Sequence, residues 1–307
     1  MNGVYAWVRP GRAGLGNMLF PWARAVIFAE RHTLPILSVQ WTQPKIGPLL
    51  RGERDKRLYT GLFTSQGYIR GLRKWALLAS CPKVSECDGT GVERILRVGR
   101  GMVVFQGMEG MFQPLLGHHA LVRRRLEEML TPSIRRLVEA DRQRDCIAMH
   151  VRRGDMNLLA HGQLFPNGQC NRAQPIEWFA AVAQQLHAWL PGMPIRVFSD
   201  GTDDQLAPLL RLGGVARAPN NPSIVDILLM ARARLLVPTS DSTFSMWSAY
   251  LGQLPAIWYP GESERPIDVG RRGVKIDAFG MISESQQRQI TALALHPTPP
   301  DNQRPPI

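Results

Sequence analysis

From Cys146 to Trp258, short apolar runs alternate with stretches of helical periodicity, and few folds accept such a chain. Strands are expected at Cys146–Val151, Ile195–Ser199, Leu235–Val237 and Ala256–Trp258. Helices are expected from Ile176 to Leu190, near Asp203–Leu210, over Ile224–Ala233 and over Phe244–Leu251. Pro175 precedes the first of these helices and Pro191-Gly192 closes it. Repeated βα alternation implies a parallel sheet with helices on both faces. Open sheets of that kind hold ligands at the carboxyl ends of their strands.

The N-terminal half starts the same way. Val4–Val8 reads as a strand, Pro10–Gly16 as a glycine-rich turn, and Asn17–Arg31 as a helix with Leu19, Ala23, Val26 and Ile27 on one side. This is the βα unit of a Rossmann-like half, but its glycines depart from Gly-x-Gly-x-x-Gly and do not argue for NAD. A further strand is expected at Leu34–Val39 and another at Met102–Phe105, with loops and short helices over most of 43–100. Leu121–Arg142 is helical and highly charged, with a break at Pro132, and is the candidate connection between domains. From Gln286 onward, Pro297, Pro299, Pro300, Pro305 and Pro306 mark an expected disordered tail. The expected domains are 1–140 and 141–285, with the tail at 286–307.

At 307 residues, 44% hydrophobic and 20% charged, the chain has the size and composition of a globular protein with room for two domains. Its net charge is +12; of 37 basic residues only Lys45, Lys56, Lys74, Lys83 and Lys275 are lysines. A basic surface favours anionic partners such as nucleotide sugars, anionic lipid headgroups and nucleic acid. The last is disfavoured, because no basic-aromatic interleaving or nucleic-acid module is visible. Cys81, Cys87, Cys146 and Cys170 form no Cys-x-x-Cys pair, which argues against a zinc site and fits a reducing compartment, with Cys146 a buried free thiol. No apolar stretch approaches the roughly 20 residues that cross a bilayer, and Met1-Asn2-Gly3 lacks a signal-peptide pattern.

The richest segment is Asp145–Asp155, where an apolar run stops at His150-Val151-Arg152-Arg153-Gly154-Asp155. Two guanidiniums at a strand end suit a pyrophosphate, because planar forks donate paired hydrogen bonds to its oxygens; a solvated Arg-Arg loop is the alternative. Three more segments belong with it: Gly14-Leu15-Gly16-Asn17-Met18-Leu19-Phe20, Phe198-Ser199-Asp200-Gly201, and Ser240-Asp241-Ser242-Thr243-Phe244-Ser245-Met246-Trp247. In this order the set resembles the bacterial α-1,2-fucosyltransferases and, more broadly, the α-1,2/α-1,6/O-fucosyltransferase superfamily. The resemblance runs from about Gly14 to Gly252, and His-Val-Arg-Arg-Gly-Asp is its most specific piece. The chain departs from the family pattern at Met18, Asp241 and Met156, none of which removes a phosphate ligand.

The resemblance implies a GT-B fold, two Rossmann-like α/β domains facing a cleft, with the N-terminal domain on the acceptor side and the C-terminal domain holding GDP. It implies that Arg152 binds the β-phosphate of GDP-fucose and neutralises the charge that develops there. Arg153 either braces the loop or shares the phosphate. Asp155 is expected in an orienting role at the catalytic centre, pairing with an arginine or with the nucleotide's neighbourhood. His150 is read as a catalytic or nucleotide contact, or equally as a satisfied histidine at a strand end. Ser199 and Asp200 lie near the guanine by analogy, a carboxylate suiting its N1–H and N2–H donors; a turn or cap aspartate is the alternative. Ser242 and Thr243 open a helix, where hydroxyls and free amides cradle a phosphate, and Ser242 doubles as a cap. Gly16 allows close backbone approach to a ligand, and Asn17 reads as sugar or diphosphate contact or as helix cap.

No two aspartates are separated by one residue, so the Asp-x-Asp metal motif of many sugar transferases is missing and stabilisation by arginine is the coherent alternative. The general base is not readable; Asp155, His161 and Glu109 are candidates. What the resemblance implies is inverting, metal-independent transfer of L-fucose from GDP-fucose to the 2-hydroxyl of a galactoside, an oligosaccharide or lipid-linked glycan of a bacterial surface such as O-antigen or capsule. No cofactor is expected beyond this donor. The animal relatives carry an N-terminal membrane anchor, and the lack of one in this sequence points to a cytoplasmic bacterial enzyme, peripheral at most to the inner membrane, or to a trimmed chain. The rivals are a related GDP-sugar transferase with another donor or linkage, and an inactive glycan- or nucleotide-binding protein.

Overall fold

The computed structural model of the chain describes residues 3–9, 11, 13–42, 59–154, 156–164, 172–240, 242–260 and 273–295. Two compact units emerge, one of residues 1–50 and 56–135, the other of residues 51–55 and 136–307.

The first unit is built on a parallel sheet of β1 (Gly3–Arg9), β2 (Lys83–Ser85) and β3 (Arg100–Gln106), in the order β1-β3-β2. Helix α1 (Leu15–His32) packs Leu19, Ala23, Val26 and Ile27 inward, as its periodicity predicts. It begins two residues before the expected Asn17, with Gly14 at the cap position and no side-chain cap, so Asn17 lies inside the first turn and is not the cap. The strand expected at Leu34–Val39 reduces to two isolated bridges, Ile36 to Ala6 and Leu37 to Ile69. Pro35 supplies a carbonyl but no N–H to a ladder, and the run ends before pairing can extend. Helix α2 (Gly71–Ser80) covers one face of the sheet, placing Leu77 against Tyr5, Leu37 and Met102. Helix α3 (Gly89–Val98) packs Ile95 against the close-approaching Gly101 of β3.

Two helices, α4 (His119–Glu128) and α5 (Pro132–Ala140), replace one long one, and Pro132 opens the second, where its missing N–H costs nothing. The division between the units falls within α5.

In the second unit six parallel strands run in the order β11-β10-β9-β4-β7-β8: β4 (Ile147–Val151), β7 (Ile195–Ser199), β8 (Val215–Arg217), β9 (Leu235–Val237), β10 (Ala256–Trp258) and β11 (Gly273–Lys275). The short strands β5 (Asn157–Leu158) and β6 (Arg172–Ala173) pair apart from it. Helices α6 (Ile176–Trp189), α7 (Asp203–Leu210), α8 (Ser223–Met230) and α9 (Thr243–Gly252) connect successive strands. Strand alternation sorts β4: Ile147, Met149 and Val151 join Trp178, Phe179, Val182 and Leu186 of α6 in one core layer, while Ala148 and His150 face the other way. Every residue of β4 is buried, as a central parallel strand requires.

The expectation of a disordered tail from Gln286 needs correction. Residues Glu284–Leu295 form helix α10, which buries Ile290 and Ala294 in the core of the second unit. The prolines that suggested disorder begin only at 297, outside the described residues. Among the described residues no helix is long and apolar enough to cross a membrane. Cys81 and Cys146 are buried free thiols and Cys87 is exposed.

Candidate functional site

The chain visits β4 first, builds outward through β7 and β8, then returns to place β9 on the other side of β4. The order therefore reverses at β4, and crevices form at such a switch point beyond the carboxyl ends of the strands. Three segments leave those ends side by side: Arg152–Gly154 after β4, Asp200–Gly201 after β7, and Pro238–Ser240 after β9.

Hydrogen bonds join the three. The Thr239 hydroxyl donates to the His150 carbonyl at 2.8 Å and accepts the Arg152 N–H at 2.9 Å. Asp200 accepts the Arg153 N–H through Oδ1 at 2.8 Å, and its Oδ2 lies 3.2 Å from Nη1 of Arg152. Both side chains of that ion pair keep 26% of their surface, so the pair opens to the crevice. Ser199 donates to the Val151 carbonyl at 2.5 Å and accepts the Gly201 N–H at 3.0 Å, closing the turn beside it. Arg217 of β8 donates to the carbonyl of Gly201 at 2.6 Å and pairs with Asp203.

Of the two roles open to Arg153, the structure shows the brace. Its side chain is turned inward, and Nη1 donates to the carbonyl of Gln174 at 2.7 Å. Burial works against its charge, while Glu177 and Asp200 support it. Gln174 in turn donates from Nε2 to the carbonyl of Pro238 at 2.9 Å, tying the end of β6 to the end of β9. Gly154 passes so close to Asp200 that a Cβ at this position would strike the carboxylate, which gives this glycine a steric reason.

His150 lies beneath this loop on the face toward α9. Its ring stacks on Phe244, centroids 5.2 Å apart, and Nδ1 is 3.0 Å from Oγ of Ser245. That hydroxyl has one proton and directs it to the Thr239 carbonyl at 3.0 Å, so Nδ1–H is the donor to Ser245 and Nε2 keeps its lone pair. Burial pushes the imidazole pKa down to about 3, with Arg152 acting in the same direction and Asp200 against it. His150 is therefore neutral at ordinary pH.

Ser242 stands at the N-cap position of α9, but its side chain makes no cap bond; its N–H donates to the Thr239 carbonyl at 3.1 Å. Thr243 is the first residue of that helix. Arg152, Arg153, His150, Ser199, Asp200, Ser242 and Thr243 are thus gathered at one sheet edge, while Asp155 lies outside the described residues. Gly16 and Asn17 belong to the first unit, in the opening turn of α1. Of the other candidate bases, His161 is exposed and meets Phe279 edge-on, and Glu109 lends its carbonyl to Arg24 at 3.3 Å. Thr239, Gln174 and Ser245 hold the site together without having been singled out as site residues. Ser245 lies inside a recognised motif and Thr239 just before it, whereas Gln174 carries no local signal. Among the described residues no three His, Cys, Asp or Glu side chains gather as a metal-binding group.

No protein-family model and no curated protein matches the chain. Solved structures do. A point mutant of Arabidopsis thaliana FUT1 in complex with GDP matches with a TM-score of 0.50 at 13% identity, covering 86% of this chain and 72% of that one. NodZ, an α-1,6-fucosyltransferase solved from Bradyrhizobium and also with GDP, matches at 0.48 and 14% identity, covering 83% and 94%. POFUT1 in complex with GDP-fucose matches at 0.43 and 13% identity, covering 83% and 96%. The likeness to FUT1 gives the fold, α/β of the GT-B-like kind.

Proposed function

We propose that the chain is a glycosyltransferase that takes L-fucose from GDP-fucose and passes it, without a metal and with inversion, to the 2-hydroxyl of a galactoside acceptor. The observation that carries this reading is the Arg152–Asp200 pair at the switch point of the second unit, open to the crevice beside the first turn of α9. The FUT1 structure, which shares the fold, is in complex with GDP, and this supports a guanine-nucleotide donor.

In this reading the acceptor oxygen attacks C1 of fucose as the bond from C1 to the β-phosphate oxygen breaks. The electron pair stays on the departing GDP, where Arg152 meets the added charge with a guanidinium that cannot lose its proton. Asp200 fixes the angle of Arg152, the orienting part that the sequence suggested for Asp155, and so has less freedom to contact guanine. The first amides of α9, with Ser242 and Thr243, face the remaining phosphate oxygens. Neutral His150 is a positioning residue: with Nδ1 committed to Ser245 and a pKa near 3, it is a poor base at neutral pH. The oxocarbenium-like transition state lets the acceptor proton leave late. The acceptor fits a surface glycan or its lipid-linked precursor at the cytoplasmic membrane face, following the family resemblance of the motifs.

Calorimetric titration with GDP, UDP and ADP in EDTA tests the donor site. Selective GDP binding that weakens in Arg152→Ala supports it; equal binding of all three, or none, removes it. Turnover of GDP-fucose with a panel of galactosides, compared with other GDP-sugars, then separates this enzyme from a transferase of another linkage and from an inactive binder.

A further inference from the structure

Helix α2 shows two unlike faces. Leu77 and Leu78 turn inward toward Tyr5, Trp7 and Met102. At 100° per residue, Leu72, Trp75, Ala76 and Ala79 share the opposite side. Leu72 is 89% exposed and Trp75 64% exposed. A single exposed leucine is ordinary, but a leucine and a tryptophan one turn apart, away from the core, form a patch.

The charged residues of this stretch have one sign. Between Tyr59 and Ser85 the chain carries Arg70, Arg73, Lys74 and Lys83 and no aspartate or glutamate. Arg70 and Arg73 are exposed beside the stripe, and Lys83 follows the helix. Lys74 is anchored, donating to the carbonyl of Ser38 at 2.8 Å with Nζ 5.8 Å from the centre of the Trp75 ring. Tryptophan at an apolar–polar boundary with arginines at its flank is the composition of an in-plane membrane contact: the ring enters the headgroup region while guanidiniums meet lipid phosphate.

We propose that the outer face of α2 docks the protein on an anionic phospholipid surface, with Leu72 and Trp75 inserted and Arg70 and Arg73 on the headgroups. One short helix with two apolar anchors gives weak, reversible, salt-sensitive binding. The inference is independent of the sugar-transfer reading, because no residue of the α2 face belongs to the candidate site.

Vesicle flotation of the full chain tests it, using phosphatidylcholine alone and phosphatidylcholine mixed with phosphatidylglycerol. The wild type should float with the anionic vesicles at low salt and stay behind with the neutral ones. Leu72→Ser with Trp75→Ser, and separately Arg70→Ser with Arg73→Ser, should each weaken binding about tenfold or more. Unchanged thermal melting shows that these exposed substitutions leave the fold intact. In Trp75→Phe, binding should persist while the blue shift of tryptophan emission seen in the wild type is lost. Equal flotation of wild type and both double variants, or no flotation of the wild type, overturns the proposal. So does a concentration-dependent dimer, formed without vesicles and dissolved by Trp75→Ser, which would give the face to a second copy of the chain.

Discussion

The carboxylate of Asp200 reaches Nη1 of Arg152 at 3.2 Å from the end of a neighbouring parallel strand, while its other oxygen holds the N–H of Arg153 at 2.8 Å. One side chain thereby sets both the path of the loop and the direction of the guanidinium that leaves it. Arg152→Ala should reduce transfer by about 100-fold or more, the scale for removing a charge partner of the transition state. Asp200→Ala should lose the same direction of effect through position, and Asp200→Asn should recover part of it. Single-turnover rates with GDP-fucose measure all three, and a near-normal rate in Arg152→Ala would remove this residue from the chemistry.

Gly154→Ala should harm the site without removing any functional group. The new methyl meets the Asp200 carboxylate, which must move and release Arg152. Gly201→Ala brings a Cβ to 2.8 Å from Cγ of the buried Arg153. Overpacking of this kind costs about 1–3 kcal/mol. Denaturant midpoints and GDP affinity should both fall, and an unchanged affinity in Gly154→Ala would separate Asp200 from the ligand site.

Acid should destabilise the second unit through His150. Folding depresses its pKa, so the unfolded chain binds a proton that the native state refuses. The contribution is complete above the unfolded value of about 6.5. It is lost as pH falls from there toward about 3. The limiting slope is about 1.4 kcal/mol per pH unit for one proton. Urea midpoints measured across this window should fall with pH in the wild type and less steeply in His150→Gln. Parallel slopes would show that His150 takes up its proton in the native state as well.

In the first unit, Glu86→Ala should be costly. Arg24 is buried and donates to both oxygens of Glu86, at 2.7 and 2.9 Å, and to the carbonyls of Gln106 and Gly107. Removing the acid strands a buried cation, for which about 3–5 kcal/mol is usual. Chemical denaturation followed in wild type and variant gives the number, and a loss below 1 kcal/mol would mean that the carbonyls alone satisfy Arg24.

The sequence by itself placed β4, β7, β9 and β10 with helices α6, α7 and α9 to within a residue, because their apolar runs are clear and several boundaries carry proline or glycine; it ran α8 three residues too far and did not mark the three-residue strands β8 and β11, which are too short to show a period. Through the order of its motifs, read as a family resemblance, it also marked Arg152, Asp200 and the Ser242-Thr243 helix start as one group. It misjudged Leu34–Val39, where β residues are present but no partner strand continues, and Gln286–Leu295, where the prolines beyond 295 suggested disorder that Ile290 and Ala294 prevent by burial. Only the tertiary structure decided what each polar group does. The inward turn of Arg153 depends on a carbonyl 21 residues away, the tautomer of His150 on a serine 95 residues away, and the angle of Arg152 on an aspartate from the next strand. A local pattern sets which face of a strand a side chain takes; its partner comes from whichever chain segment the fold brings alongside, and the sheet order that does so is a non-local property.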